Sequence, residues 1–221
     1  MNLVDPDGRD GMVTGTGSKE DPYIVTANYY YNPSDLKQEQ VEGLMQAATK
    51  YNSYKGSVKD NNGNRVFVSF NISIIASDNP EADRMTTGFI GIDGDPHYYG
   101  NSVIESSTSG SNEDIYGTAD NISISFNTGI ISLGIYRGMD SKDLNTGVAL
   151  HEIGHNLGLV HEDGTSLMET VNTIIYTDNL GKETISHTYP TFRNPNKSVG
   201  IIIRKRDAVF GKSIGMIWTR R

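Results

Sequence analysis

The densest chemistry in the 221-residue sequence is the run His151-Glu152-Ile153-Gly154-His155-Asn156-Leu157-Gly158-Leu159-Val160-His161. On a helix, His151 and His155 are four residues apart and project from one face, one turn above the other. That spacing lets two imidazole nitrogens meet one Zn2+ at about 2.0–2.1 Å. Glu152 sits about 100° around the same helix, beside such a metal without having to bind it. A carboxylate in that place takes a proton from a metal-activated water as it attacks a carbonyl, then delivers it to the leaving amine. Gly158, three residues past His155, tolerates the left-handed conformation that ends helices, so the chain turns and brings His161 to the same metal. Three neutral imidazoles plus water make an open catalytic site rather than a closed structural one. At this chain's own His, Glu and Gly frequencies the five fixed positions arise by chance in roughly one chain in 10⁵ of this length. The bland alternative is a surface helix with coincidental histidines.

A helix must carry that motif, and Leu150, Ile153 and Leu157 supply the apolar side that anchors it. It is expected from about Asp140–Asp143 to Leu157. Upstream, the β-branched and aromatic run Tyr23–Tyr31 predicts a first strand. Pro33-Ser34-Asp35 then opens a helix with Ser34 as N-cap and Val41, Leu44, Met45 and Ala48 as its core stripe. Asp60-Asn61-Asn62-Gly63 signals a turn before a long strand, Arg65–Ala76, with Phe67, Phe70, Ile72, Ile74 and Ile75 expected in the core. From Ser77 to Asp120 the chain is rich in Gly, Ser, Asn and Asp and is expected to be irregular. Strands are expected at Ile122–Phe126 and Ile130–Tyr136, a hairpin at Ile174–Thr177 and Glu183–Thr188, and a last helix over Lys197–Phe210 closed by Gly211. Residues 1–22 read as a flexible acidic arm, and 23–221 as one domain.

Composition narrows the partners. The absence of cysteine excludes disulfides, thiolate metal sites and thiol nucleophiles, so any metal is held by His, Asp, Glu or backbone oxygen. A net charge of −8 argues against general nucleic-acid binding. Nothing approaches the ~18 consecutive apolar residues that span a bilayer, and the first residues lack the basic end and apolar run of a leader. The chain is therefore expected to be a mature extracellular form or part of a virion. A protein or peptide substrate is expected, with neither nucleic acid nor membrane as partner.

These residues carry a family resemblance. His151 to His161 matches the HExxHxxGxxH signature of the metzincin clan of zinc endopeptidases, and Thr165-Ser166-Leu167-Met168 is similar to the clan's Met-turn. The strict match covers about 18 residues, and the order of elements resembles the clan more loosely from Tyr23 to Phe210. The resemblance implies an α+β fold: a twisted, mostly parallel sheet of about five strands with an antiparallel edge strand, two long helices and a C-terminal helix. It implies one catalytic Zn2+ on His151, His155 and His161, Glu152 as general base and acid, Gly158 as the helix break, and Met168 as a structural floor. The short gap from His161 to Met168 is similar to matrixins and fragilysin-like enzymes. Glu169-Thr170 departs from the Tyr-Pro that follows the matrixin methionine, and Thr170 stands where astacins have a tyrosine. In that clan substrate lies along an edge strand, for which Ile122–Phe126 is the candidate.

Other residues have weaker claims. His97 follows Asp93-Gly94-Asp95-Pro96, where Asp93 and Asp95 are candidates for a second ion such as Ca2+, against a plain Asp-Gly turn. His187 reads as an ordinary solvated or packed side chain, and the basic group Arg204-Lys205-Arg206 as a solvated face. Asp5, Asp7, Asp10 and Asp21 are the carboxylates by which the arm would cap the metal. Two further functions stay open beside the endopeptidase. One is a structural or binding component, for example of a phage particle, that retains the domain; the other is a hydrolase of a non-protein amide.

Overall fold

A computed structural model of the protein describes residues 11–90, 96–105, 130–133, 141–169, 172–177, 181 and 183–210. A short strand, β1 (Met12–Thr14), runs antiparallel to β2 (Tyr23–Tyr31), with Met12 opposite Thr26. The reading of residues 1–22 as an arm is thus corrected over its second half. Gly15 and Gly17, which suggested a linker, take positive φ (89° and 77°) in the turn that returns the chain to β2. The Gly17 carbonyl also accepts from Phe67 N–H at 2.8 Å, and Thr16 N–H donates to the Asp21 carboxylate at 2.9 Å.

In β2 the buried residues Val25, Ala27, Tyr29 and Tyr31 alternate with partly covered ones, the period of two that one buried face requires. The following helix, α1 (Gln38–Asn52), has its N-cap at Lys37 and not at Ser34. Ser34 N–H and Oγ–H both donate to Asn32 Oδ1, at 2.9 and 2.7 Å, a local turn that competes with capping. The first turn is closed instead by Gln40, whose Oε1 accepts from Lys37 N–H at 2.8 Å. Val41, Leu44 and Ala48 are buried as expected, joined by Ala47 and Tyr51, whereas Met45 is 48% exposed.

Strand β3 (Lys55–Lys59) forms a hairpin with β4 (Arg65–Ala76), and Asp60 Oδ1 accepts from Asn62 and Asn64 N–H at 2.9 and 2.7 Å in the turn. The core phase of β4 differs from the sequence reading at Phe67 and again at Ile75, which is only half-buried and outside the core. Val66, Val68, Phe70 and Ile72 are buried, while Phe67 belongs to the opposite face, under the Arg65 guanidinium at 5.3 Å. The expected irregular stretch after Ser77 is also corrected. It holds α2 (Pro80–Thr86), β5 (Gly88–Ile90), β6 (Pro96–Tyr98) and β7 (Gly100–Glu105). Asn79 caps α2 by accepting from Ala82 N–H at 3.2 Å, and no α2 residue is buried, which is why it left no apolar signature.

The chain continues with β8 (Ile130–Leu133), α3 (Ser141–Asn156), the antiparallel pair β9 (Asn172–Thr177) and β10 (Glu183–Thr188), and α4 (Pro195–Phe210). Ile122–Phe126, Asp93, Asp95, Thr170 and Gly211 lie outside the described residues. The main sheet is mixed and six-stranded among the described residues, in the order β3-β4-β2-β7-β8. Its β4-β2, β2-β7 and β7-β8 pairs are parallel; β3 and β1 join antiparallel. With four α-helices beside it among the described residues, the class is α+β.

Registered neighbours Val25 and Phe70, Ala27 and Ile72, and Tyr31 and Val103 put one sheet face into the core. Helices α1 and α3 pack on each other at close range. A Cβ on Gly43 would stand 2.8 Å from the Asn145 carbonyl carbon, so this crossing requires glycine. Tyr51 O–H donates to the Leu150 carbonyl at 3.0 Å across the same interface, and burial pushes its phenol well above the ordinary value. Tyr51 and Tyr54 enclose Phe70 and Phe192 with ring centroids 5.0–6.4 Å apart, joining α1, β4 and the approach to α4. Among the described residues no helix is long and apolar enough to cross a membrane.

Candidate metal centre

Helix α3 is buried on more than one side, since every residue from Leu144 to Gly154 is buried. The expected division into one core face and one metal face is therefore too simple. Small residues admit the neighbours: a Cβ on Gly147 would meet the Pro190 carbonyl oxygen at 2.9 Å, and one on Gly154 would meet Met168 Cε at 2.7 Å. The last helical residue is tied to the sheet. Asn156 Nδ2–H donates to Asn101 Oδ1 at 3.1 Å, and Asn101 Nδ2–H donates to the Asn28 carbonyl at 3.2 Å.

The helix stops where the glycine spacing places it. Gly158 has φ 93°, its N–H donates to the His155 carbonyl at 2.8 Å, and Leu159 N–H donates to the Gly154 carbonyl at 2.9 Å. This paired closure satisfies carbonyls that the helix end would otherwise leave open. It also reverses the chain, so that the Leu159 carbonyl comes back to accept from His155 Nδ1–H at 2.9 Å. One turn thus ends the helix and orients the His155 imidazole. His161 follows in a single 3₁₀ turn, His161–Asp163, closed by Gly164 at φ 58°.

The segment Thr165–Met168 is a tight turn in which Met168 N–H donates to the Thr165 carbonyl at 2.9 Å. Its Leu167 carbonyl accepts from His151 Nδ1–H at 2.8 Å. Ser166 Oγ–H fastens the turn to the carbonyls of Thr191 and Arg193, at 2.9 and 2.7 Å. Met168 is buried, with its methyl against Gly154 between the two helical histidines.

Carbonyl partners fix the tautomers of His151 and His155: each Nδ1 carries the proton, and each Nε2 presents a lone pair. His151 Nε2 lies 3.0 Å from His155 Nε2 and 3.0 Å from His161 Nε2. The ligand atoms of all three lie within 4.8 Å of one another. Converging lone pairs repel unless a positive charge stands among them. A proton is a poor choice, because burial and then the charge of His155 hold His151 down to about 3, against the raising effect of the Leu167 carbonyl. Burial likewise holds His155 below its ordinary value. Tetrahedral bonds of about 2.05 Å would set the nitrogens roughly 3.3 Å apart, close to the observed separations. The three histidines therefore fit a metal ion. His151 is buried, His155 partly covered and His161 exposed, so the cluster opens toward solvent on the His161 side.

Glu152 is buried beside His151, and burial pushes its carboxyl up to about 8. The structure thus brings His151, His155, His161, Gly158 and Met168 together and sets Glu152 next in chain to the first ligand. His97 falls in β6 and His187 in β10. Asp21, considered as a metal cap, is occupied by its turn with Thr16.

Sequence reasoning missed the residues that hold the ligands' surroundings. Asp163 Oδ2 accepts from Val160 N–H at 2.8 Å and from Lys205 at 2.7 Å, so Lys205 is not simply a solvated side chain. An Asp two residues past a ligand, before a glycine, was a turn signal; its distant partner had none. No family model, curated protein or solved structure matches the chain.

Proposed function

We propose that the chain is a zinc-dependent endopeptidase of the metzincin type, with His151, His155 and His161 holding the metal and Glu152 moving the proton. The observation that supports it is the convergence of three imidazoles, two of them locked by backbone carbonyls with their Nε2 lone pairs turned inward, next to a buried carboxyl. Three nitrogen ligands and no thiolate are the donor set of an open catalytic zinc site. Zinc in such a site supplies Lewis acidity to a water and to the scissile carbonyl.

The protein does the rest. The Glu152 carboxylate accepts a proton from the attacking water. It then delivers that proton to the amine nitrogen as the C–N bond breaks. Without a metal, burial raises the proton affinity of this carboxyl; a dication on the three histidines would favour the ionised form that accepts the proton. The Leu167 carbonyl orients His151, Met168 packs against Gly154 between the two helical histidines, and His161 is the one of the three that is exposed.

The test measures bound zinc and the cleavage of an unfolded protein, with Glu152→Ala as control. Wild type is expected to bind one zinc and to cleave; Glu152→Ala is expected to bind zinc without cleaving. A zinc-loaded wild type no more active than Glu152→Ala across varied substrates sinks the proposal and favours a binding or structural role.

A further inference from the structure

We propose that Lys205, on the C-terminal helix, is a positioning residue for the third ligand, so that α4 sets the metal affinity from outside the ligand set. This inference rests on the three histidines acting as metal ligands. The three are held very differently. His151 and His155 stand on α3, a buried helix packed on α1, and each has its Nδ1 fixed by a carbonyl. His161 is exposed and lies beyond the helix end, in a single 3₁₀ turn. A ligand on an exposed loop binds well only if the loop is already ordered, because ordering it on binding consumes part of the interaction.

One ammonium supplies that order. Lys205 Nζ–H donates to the Asp163 carboxylate at 2.7 Å and to the Gly158 carbonyl at 3.1 Å. Gly158 and Asp163 are the two ends of the segment that carries His161, so Lys205 fastens both at once. Asp163 in turn accepts from Val160 N–H at 2.8 Å, which fixes the residue just before the ligand. The pair is shielded, with the Lys205 and Asp163 side chains 29% and 14% exposed, unlike a surface ion pair that water dissolves. Gly158 lies just past the C-terminal end of α3, where a cation is favoured by the helix dipole. Lys197, also on α4, adds a bond to the Gly164 carbonyl at 2.7 Å. Val199, Ile202 and Ile203 bury α4 in the core, so the clamp stands on a fixed base.

The experiment compares wild type, Lys205→Met and Lys205→Arg by competition for Zn2+ with a chromophoric chelator. Loss of a group that orients a ligand typically weakens metal binding about 10–100-fold, and that loss is expected for Lys205→Met. Lys205→Arg keeps the charge and donors and is expected to recover most of it. Asp163→Asn combined with Lys205→Met is expected to be little worse than either alone. Ile202→Val, which loosens α4 without touching the loop, controls for stability: it is expected to lower the melting temperature and leave affinity unchanged. Amide exchange at Val160 in the metal-free protein is a second readout and is expected to quicken in Lys205→Met. Wild-type affinity in Lys205→Met overturns the clamp while leaving the zinc site standing; equal losses in Ile202→Val and Lys205→Met reduce it to general stability and also overturn it. A wild type that takes up no zinc overturns the clamp together with the proposed function.

Discussion

Among the helical glycines in close contacts, Gly43 and Gly154 differ in what they meet, and replacing each with alanine separates backbone from side-chain constraint. A Cβ on Gly43 of α1 would stand 2.8, 2.9 and 3.0 Å from the carbonyl carbon, carbonyl oxygen and Cβ of Asn145 in α3. Carbon atoms pack at about 3.5–4.0 Å, so the helices must part by roughly 0.7 Å. The obstacle is helical backbone, which moves only with the rest of α3. Overpacking of this kind costs about 1–3 kcal/mol, and the gain in helix propensity from Gly to Ala returns about 1 kcal/mol. With rigid neighbours the upper part of that range applies, leaving Gly43→Ala about 1–2 kcal/mol less stable. For a chain of this size that lowers the melting temperature by about 2–8 °C. In Gly154→Ala the nearest obstacle, at 2.7 Å, is the terminal methyl of Met168, which swings aside cheaply; Leu159 Cδ1 at 3.3 Å and Tyr51 Oη at 3.4 Å need only small adjustments. Its cost and its propensity gain nearly cancel, within about 1 kcal/mol. Thermal unfolding of the metal-free variants by circular dichroism makes the comparison. A Gly43→Ala protein that melts at or above wild type, or a Gly154→Ala protein that falls further than Gly43→Ala, would refute the reasoning.

Three further outcomes follow from particular contacts. Asn52 bonds both backbone groups of Ile72, donating to its carbonyl at 2.8 Å and accepting from its N–H at 2.7 Å, where β3 no longer covers β4. Asn52→Ala should therefore cost about 1–3 kcal/mol in urea unfolding, and an unchanged midpoint would count against this role. Under the proposed endopeptidase function, Glu152→Gln should keep metal stoichiometry while lowering kcat/KM about 10²–10⁴-fold, the usual worth of a general base; retained activity removes Glu152 from that proposal. In the metal-free protein, His151 is held near 3 from an ordinary 6.5, so below 6.5 the unfolded chain binds the extra proton first. Stability should fall as pH drops from 6.5 toward 3, by about 3 kcal/mol at about pH 4.5 from this residue alone. A His151→Asn variant should show a shallower slope of urea midpoint against pH, and equal slopes would contradict the assignment.

Elements with strong periodicity were legible. Tyr23–Tyr31 and Arg65–Ala76 form strands at the bounds their β-branched runs set, and α3 covers the expected helix to within a residue or two. Lys55–Lys59 went unread because Val58 is its one large apolar residue; the strand exists because β4 supplies a partner across the Asp60 turn. The elements α2, β5, β6 and β7 were unreadable for a similar reason, being short and rich in polar residues. Phe67 shows the limit of hydrophobicity as a guide to burial. A strand with Phe and Val on adjacent positions must turn one outward, and the Val66-Val68 phase won because it continues into Phe70 and Ile72.

By itself the sequence determined which imidazoles come together. The four-residue helical spacing of His151 and His155 and the obligatory reversal at Gly158 are local consequences of backbone geometry, and they hold wherever the helix is placed. Only the tertiary structure decided how those imidazoles are held. The carbonyls of Leu167 and Leu159 set the tautomers, burial raises Glu152 and depresses His151, and Lys205 reaches across 42 residues of chain to fasten the His161 loop. Desolvation and long-range hydrogen bonds depend on what packs alongside, and no spacing along the chain encodes a neighbour that arrives from another element.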